Sequence, residues 1–273
     1  MCRHLAYLGD LVPMKTVLLD PPHSLAEQAW RPRLQRHGTM NVDGFGVGWY
    51  ADGDPIPARY RQSGPIWADE SLPDLARVTR TRALLCAVRS ATAGTEPSVS
   101  AAAPYTAGPW LFSHNGVLSG WSMAAGNSAP GSSPEPAQGS QAAAADAVLR
   151  LAQSLPAADL LGLAARCDSA LIWALVLARL RAGEGAADAL AGTVGDIIAA
   201  GGTGRFNLLL TDGEVIAATA AGDTLWYCQR PGGVIVASEP SDDEPDWQEV
   251  PDASVIEATT AGAAVKPLLL TSP

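Results

Sequence analysis

The sequence predicts a single layered α+β domain, and three observations lead to that class. The predicted elements run as strands, then a group of neighbouring helices, then strands again, whereas a doubly wound parallel sheet requires regular alternation of strands and helices. The chain has 273 residues, which lies within the range of layered enzymes that form one domain. Its composition, 47% hydrophobic and 17% charged, supplies a core and too little charge for extended disorder.

The N-terminal half is predicted to contain short strands and short helices. A strand opens the chain at 2–8, and Ser24-Leu25-Ala26-Glu27 has the pattern of a capping box, which predicts a helix from Ser24. Pro32 is expected to kink or split that helix. The glycine-rich stretch 43–50 leads into an apolar strand. The other predicted elements of this half are a helix over 72–80 and strands over 84–89 and 110–112.

A low-complexity segment over 126–141 separates the two halves of the chain. It is rich in Gly, Ser, Pro and Ala and lacks the apolar groups that would offset the entropy of ordering it, so we predict a flexible surface insertion. Beyond it, helices are predicted over 142–153, 169–182 and 187–199, and strands over 206–211, 215–219, 225–229, 234–238 and 254–258.

Charge and cysteine usage narrow the class of ligand. Lys and Arg number 18 against 28 Asp and Glu, a net charge of −10, which disfavours nucleic acids and anionic membranes and leaves a small molecule as the expected partner. The N-terminus has no signal-peptide pattern and no stretch reaches about 18 apolar residues, which predicts a cytoplasmic protein. The four cysteines form no C-x-x-C pair, so we expect neither a compact zinc site nor a dithiol redox motif.

Cys2 is the most informative candidate for chemistry. Because the second residue is small, Met1 is expected to be removed, which places the thiol beside its own α-amino group. An α-amino group ordinarily has a pKa of about 7.7 to 8.0, so a minority is uncharged near neutral pH and can act as a base. Nucleophile and base would then come from one residue. The alternative is a second-position cysteine without a role.

Asn115 and Gly116 could serve a cysteine nucleophile as hydrogen-bond donors. A side-chain N–H of Asn115 and the backbone N–H of Gly116 suit the oxyanion of a tetrahedral intermediate. The structural alternative is a hairpin turn, because Asn-Gly between strand-like residues is typical of a type I′ turn. The two interpretations are compatible, since an exposed turn at a strand end can present converging donors.

Three further features allow both a structural and a functional interpretation. Arg89 follows a predicted strand and could bind a carboxylate through two hydrogen bonds, or form a surface ion pair. Asp168 precedes a predicted helix and could bind an ammonium group, or cap the helix. Gly44 and Gly46 precede a strand, whereas a dinucleotide fingerprint opens a helix, so these glycines favour close packing of a sheet.

In combination, these residues resemble those of the class II glutamine amidotransferases, which are N-terminal nucleophile hydrolases. The residues that carry the resemblance are, in order, Cys2, Arg89 with Thr92, Asn115 with Gly116, and Asp168. Within that superfamily, four segments resemble the amidohydrolases of ergothioneine biosynthesis, which act on γ-glutamyl-hercynylcysteine sulfoxide. The four segments are 1–9, 43–50, 113–116 and 237–240.

The resemblance implies a fold and a site. The fold would be a four-layer αββα sandwich, formed by one class II glutamine amidotransferase-like domain over 1–273. The activity would be cleavage of a γ-glutamyl amide bond by Cys2, without a metal or cofactor. The implied roles are oxyanion binding for Asn115 and Gly116, α-carboxylate binding for Arg89, α-ammonium binding for Asp168, and pocket lining for Thr92, Gly44 and Gly46.

One residue departs from the amidotransferase pattern and bears on the substrate. Ala93 stands where a histidine commonly follows the threonine in amidotransferases, which weighs against free glutamine. Two alternatives stay open at this point: a glutaminase subunit that delivers ammonia to a separate synthase chain, and a catalytically silent glutamyl-binding protein.

Overall fold

The computed structural model of the protein describes residues 2–36, 38–91, 98–124, 126 and 139–269. The strands in these ranges are β1 (Arg3–Pro13), β2 (Phe45–Trp49), β3 (Ala58–Gln62), β4 (Arg80–Val88), β5 (Tyr105–Ala107), β6 (Trp110–Leu118), β7 (Gly204–Thr211), β8 (Ile216–Ala220), β9 (Trp226–Arg230), β10 (Gly233–Ala237), β11 (Trp247–Glu249), β12 (Ser254–Thr259) and β13 (Gly262–Pro267). The α-helices are α1 (Lys15–Leu18), α2 (Leu25–Gln28), α3 (Leu72–Val78), α4 (Trp121–Ala124), α5 (Gly139–Gln153), α6 (Ala157–Leu161), α7 (Asp168–Arg181) and α8 (Ala186–Ala199).

The strands form two antiparallel sheets. The first sheet has the order β11-β9-β10-β1-β4-β2-β3, and the second has the order β13-β12-β8-β7-β6-β5. β1 and β4 lie in the middle of the first sheet, and their antiparallel register pairs Arg3 with Val88. The chain therefore brings Cys2, just before β1, and Arg89, just after β4, to the same end of the first sheet.

The two sheets pack face to face and each carries helices on its outer face. Successive residues of β1 face the helices and the second sheet in turn, because successive side chains of a strand point to opposite faces. Leu5 and Tyr7 pack with α1, α2 and α3, whereas Ala6 and Leu8 pack against the second sheet. The outer face of the second sheet packs against α5, α7 and α8. The predicted α+β class and its four-layer αββα sandwich are thus confirmed.

Glycines in β2 allow the two sheets to approach closely. A Cβ atom on Gly46 would overlap the carbonyl oxygen of Ala103, and a Cβ atom on Gly48 would overlap the side chain of Leu111. Both contacts come from segments that lie on the second sheet or lead into it. This agrees with the close-packing interpretation of the glycine-rich segment, and it sets the width of the space between the sheets.

Local predictions had mixed outcomes. The Ser24 hydroxyl accepts a hydrogen bond from the backbone N–H of Glu27 at 3.2 Å, as the capping box predicts. The helix that it caps, α2, ends at Gln28, so Pro32 lies beyond the helix and does not kink it.

α5 begins at Gly139, which makes the last three residues of the predicted insertion helical, while 127–138 lie outside the described residues. No helix within the described ranges is long and apolar enough to cross a membrane.

Candidate active site

A small cavity opens between the two sheets at the end where β1 begins and β4 ends. It comprises about 290 Å³ of space, part of it continuous with solvent. Cys2 and Arg89 come from the first sheet, Ser113 and His114 from β6, and Ser169 from the first turn of α7. The remaining lining residues are Ala87, Val88, Ala101, Ala103 and Tyr105. Two of the sequence-predicted residues, Cys2 and Arg89, thus line one cavity.

Cys2 is partly exposed, unlike the three other cysteines, which are buried. β1 starts at the next residue and is paired with β4 from Arg3 and with β10 from Leu5. The residue after Cys2, Arg3, is fully buried and lies 3.9 Å from the carboxylate of Asp223. Burial lowers the pKa of Arg3, and the carboxylates of Glu239 and Asp223 oppose that change. The start of β1 is therefore anchored by a buried cluster of charges.

Arg89 is held by the segment that leads into β2. Its backbone N–H donates to the carbonyl of Gly44 at 2.7 Å, its carbonyl accepts from the N–H of Asp43 at 2.9 Å, and one guanidinium N–H donates to the carbonyl of Asp43 at 3.2 Å. Gly44 has a φ of +136°, a conformation that favours glycine. The guanidinium bond to Asp43 uses one of the five N–H donors that an arginine side chain carries, and the side chain lines the cavity.

Asn115 and Gly116 lie inside β6, so the predicted hairpin turn is wrong. Asn115 pairs with Asn207 and Gly116 with Phe206 of β7. A Cβ atom on Gly116 would overlap the carbonyl oxygen of Arg205, so this strand position tolerates only glycine. Pairing with β7 over the whole of β6 overrides the local turn tendency of Asn-Gly.

Asn115 is fully buried and shares a strand face with Ser113, which lines the cavity. Its Nδ2 lies 3.3 Å from the Ser238 hydroxyl, and that hydroxyl also accepts from the backbone N–H of His4. Its Oδ1 has no hydrogen-bond partner within the part of the chain that the structure describes. Two hydrogen bonds, through the Ser238 hydroxyl, therefore connect the Asn115 amide to the backbone of His4, two residues after Cys2.

Asp168 is the first residue of α7 and is 4% exposed. The residue at the N-cap position is Cys167, so the interpretation of Asp168 as the cap residue is off by one position. One carboxylate oxygen accepts from the backbone N–H of Leu118 at 2.9 Å and the other from the N–H of Ser169 at 2.8 Å. The carboxylate thereby ties α7 to the end of β6 and places its negative charge behind the cavity wall that Ser169 forms.

His114 is a site residue that the sequence analysis did not single out. Its Nε2 lies 2.9 Å from the carbonyl oxygen of Arg205, which can only accept, so Nε2 carries the proton. Burial lowers the pKa of the ring, although Asp168 opposes that effect. In the neutral ring Nδ1 is an acceptor, so the Ser169 hydroxyl, 3.0 Å away, donates to it. The lone pairs of Ser169 are then left to accept from a donor in the cavity.

His4 is a second buried histidine near the cavity. Its Nδ1 lies 3.2 Å from the Ser113 hydroxyl. Burial, together with the neighbouring His114 and Arg3, lowers the pKa of His4 to about 3, so the ring is neutral at physiological pH. The pattern that could have revealed these residues is a run of polar side chains within strands that are otherwise apolar.

The remaining predicted site residues occupy different positions. Thr92 lies outside the described residues. Gly44 contacts Arg89 through its backbone, and Gly46 lies against Ala103, a residue of the cavity wall. Within the described ranges, no group of three or more His, Cys, Asp or Glu side chains is arranged to hold a metal ion.

The fold is that of glutamine amidotransferase class II domains. A protein from Silicibacter pomeroyi, described as a glutamine aminotransferase class-II domain protein, superimposes with a TM-score of 0.65 at 21% identity, over 98% of this chain and 99% of that one. No protein-family model matches the sequence.

Sequence comparison gives the family. The chain is 38% identical over 268 residues to a gamma-glutamyl-hercynylcysteine sulfoxide hydrolase of Mycobacterium tuberculosis, an alignment that covers 98% of this chain and 97% of that protein. It is 35% identical to the protein of the same name from Mycolicibacterium smegmatis, over 98% of this chain and 100% of that one. The chain belongs to the gamma-glutamyl-hercynylcysteine sulfoxide hydrolase family.

Proposed function

We propose that the protein hydrolyses the γ-glutamyl amide bond of γ-glutamyl-hercynylcysteine sulfoxide, releasing glutamate, as a step of ergothioneine biosynthesis in the cytoplasm. The observation that carries this proposal is near-full-length similarity to hydrolases of that name, combined with a cavity that holds both Cys2 and Arg89. The whole chain, 1–273, acts as one domain in this proposal.

The glutamyl group would bind through its two charged ends. The guanidinium of Arg89 pairs with the α-carboxylate, since an arginine can hold a carboxylate through two charge-assisted hydrogen bonds. The α-ammonium faces Ser169 and the negative charge of Asp168 on the opposite wall. Thr92 and the backbone of Gly44 and Gly46 complete the pocket. This arrangement selects an amino acid head group with both charges present.

Chemistry at the amide would proceed through a thioester. The Cys2 sulfur attacks the γ-carbonyl carbon, the thiol proton passes to the free α-amine of Cys2, and negative charge develops on the carbonyl oxygen. Asn115 Nδ2 and the Gly116 N–H stabilise that charge. The carbon–nitrogen bond breaks as the α-amine returns the proton to the leaving nitrogen. Water, deprotonated by the same amine, then cleaves the thioester and releases glutamate and the thiol.

The experiment compares two substrates and two forms of the enzyme. Glutamate release is measured with γ-glutamyl-hercynylcysteine sulfoxide and with glutamine, for wild type and Cys2→Ala. We expect kcat/KM for the first substrate to exceed that for glutamine at least about tenfold. We expect Cys2→Ala to lose activity by at least about 1000-fold, because the nucleophile is missing.

Each other outcome points to a different function. Equal turnover of both substrates indicates a general glutaminase, including a subunit that delivers ammonia to a synthase chain. Substrate binding without turnover indicates a silent glutamyl-binding protein. Mass spectrometry of active protein must show Cys2 as the first residue, because a retained Met1 rules out the α-amine as base.

A further inference from the structure

Ser238 links the two sheets beside the candidate site. It follows β10 directly and is fully buried. Its hydroxyl oxygen lies 3.0 Å from the backbone N–H of His4 in the first sheet and 3.3 Å from Nδ2 of Asn115 in the second. Its own backbone N–H donates to the carbonyl of His4 at 3.0 Å, and its carbonyl accepts from the Thr224 hydroxyl at 2.8 Å. The Ser238 side chain is thus fixed in place.

The bond from Asn115 to Ser238 controls the orientation of the amide. The terminal torsion of an asparagine side chain is broad and weakly restrained by itself. Within the described residues, the Ser238 hydroxyl is the hydrogen-bond partner of Nδ2, while Oδ1 is buried without one. One N–H of Nδ2 points to Ser238, so the direction of the second N–H is determined by the same contact.

We propose that Ser238 is a positioning residue, which holds the Asn115 amide so that its second N–H points at the oxyanion formed when Cys2 attacks. This inference rests on the proposed function above. Because the same hydroxyl bonds the N–H of His4, it also sets the distance between the amide and the start of β1, where Cys2 is attached. Ser238 itself does not line the described part of the cavity and acts through Asn115.

The proposed role predicts a particular kinetic signature. Donors to an oxyanion act where charge develops, so a misplaced donor weakens binding of the transition state more than binding of the substrate. Small displacements of catalytic groups have large effects on rate. Ser238→Ala should therefore lower kcat about tenfold and leave KM within about twofold. Ser238→Cys, which keeps the volume and has a weaker acceptor, should fall between Ser238→Ala and wild type.

A double-mutant cycle separates positioning from general damage. The effect of Ser238→Ala on kcat is measured in wild type and in Asn115→Ala, where there is no amide left to orient. In the Asn115→Ala background, we expect Ser238→Ala to change kcat by less than about twofold. Ser254→Ala is the matched control, because Ser254 is also a buried serine, three strands away from β6 in the second sheet. Thermal unfolding of every variant verifies folding.

Two results would overturn the inference. One is an unchanged kcat in Ser238→Ala, and the other is a decrease of similar size in both backgrounds. If Ser238→Ala does not fold, the cycle with Ser238→Cys decides by the same criteria. Failure of the proposed function is seen separately in wild-type protein, either as no cleavage of γ-glutamyl-hercynylcysteine sulfoxide or as equal turnover of that substrate and glutamine.

Discussion

The two ends of the space between the sheets are built in different ways. At the end remote from Cys2, the Tyr50 hydroxyl lies 2.6 Å from the carbonyl oxygen of Pro109 and 2.9 Å from that of Thr211. The hydroxyl of Thr81 donates to the backbone beside it, within 2.8 Å of the Tyr50 carbonyl. The hydroxyls of Tyr50 and Thr81 at this closed end are thus paired, and apolar side chains such as Leu111 pack between the sheets.

The end that holds Cys2 retains buried polar atoms without partners among the described residues. They include Nε2 of His4 and Oδ1 of Asn115. Buried polar groups in native proteins are almost always paired, so these atoms near Cys2 are candidates for contact with a bound molecule. The paired hydroxyls of the closed end stabilise the sandwich, whereas the Cys2 end is the one at which we propose that the substrate binds.

The largest effect is expected from a substitution of Arg89, at the end that holds Cys2. Arg89→Met should lower kcat/KM for the γ-glutamyl substrate about 100-fold, because it removes a charge-assisted pair with the α-carboxylate. The matched control is Arg150→Met, which also removes a guanidinium bonded to a backbone carbonyl, that of Ala200, but lies in α5. A substrate without the α-carboxylate should be cleaved equally by wild type and Arg89→Met. A 100-fold loss with that substrate as well would contradict the assigned role.

The second effect concerns stability at the Cys2 end. Burial, with His114 and Arg3, lowers the pKa of His4 to about 3, compared with about 6.5 in an unfolded chain. Between these values the unfolded state binds more protons, so the free energy of unfolding decreases as pH falls from about 6.5 towards 3. At pH 5 the loss from His4 is about 2 kcal/mol relative to pH 7.

Urea unfolding at pH 7 and pH 5 tests this effect. In His4→Asn the difference between the two pH values should shrink by about that amount, because no ring is left to titrate. Carboxylates contribute mainly at lower pH; hydrogen bonds from Arg230, for example, lower the pKa of Asp246 to about 2. An identical pH dependence in wild type and His4→Asn would show that folding does not change the pKa of this ring.

Most of the fold could be predicted from local patterns; the sequence analysis does not predict the short helices α1, α4 and α6, and the four strands that it does not predict have a common cause. Long periodic segments such as α7 and α8 were found, as were the buried strands. The strands that were missed, β3, β5, β11 and β13, lie at the edges of the sheets or are short, and their exposed residues carry little apolar alternation. Their pairing depends on the neighbouring strand, which the local sequence does not encode.

The site residues show a similar division. Cys2 and Arg89 were assigned to one site through a resemblance, and the register of β1 with β4 brings them together. Asn115 was assigned a donor role, but its turn prediction was wrong because β7 pairs along the whole of β6. Ser169 and Ser238 were missed as individual site residues. A serine has no distinctive local sequence pattern, and the proposed roles of Ser169 and Ser238 depend on side chains from other elements.

The smallest expected effect is at the closed end. Tyr50→Phe removes a hydroxyl and leaves carbonyl oxygens of Pro109 and Thr211 without that donor, which should lower the free energy of unfolding by about 1 kcal/mol. Tyr227→Phe is the control, because its hydroxyl bonds Gln248 at an exposed position and should matter less. Activity of Tyr50→Phe should equal that of wild type, since the hydroxyl lies away from Cys2. A kcat reduced more than about twofold would mean that the closed end positions the reacting groups after all, and that the two ends act as one unit.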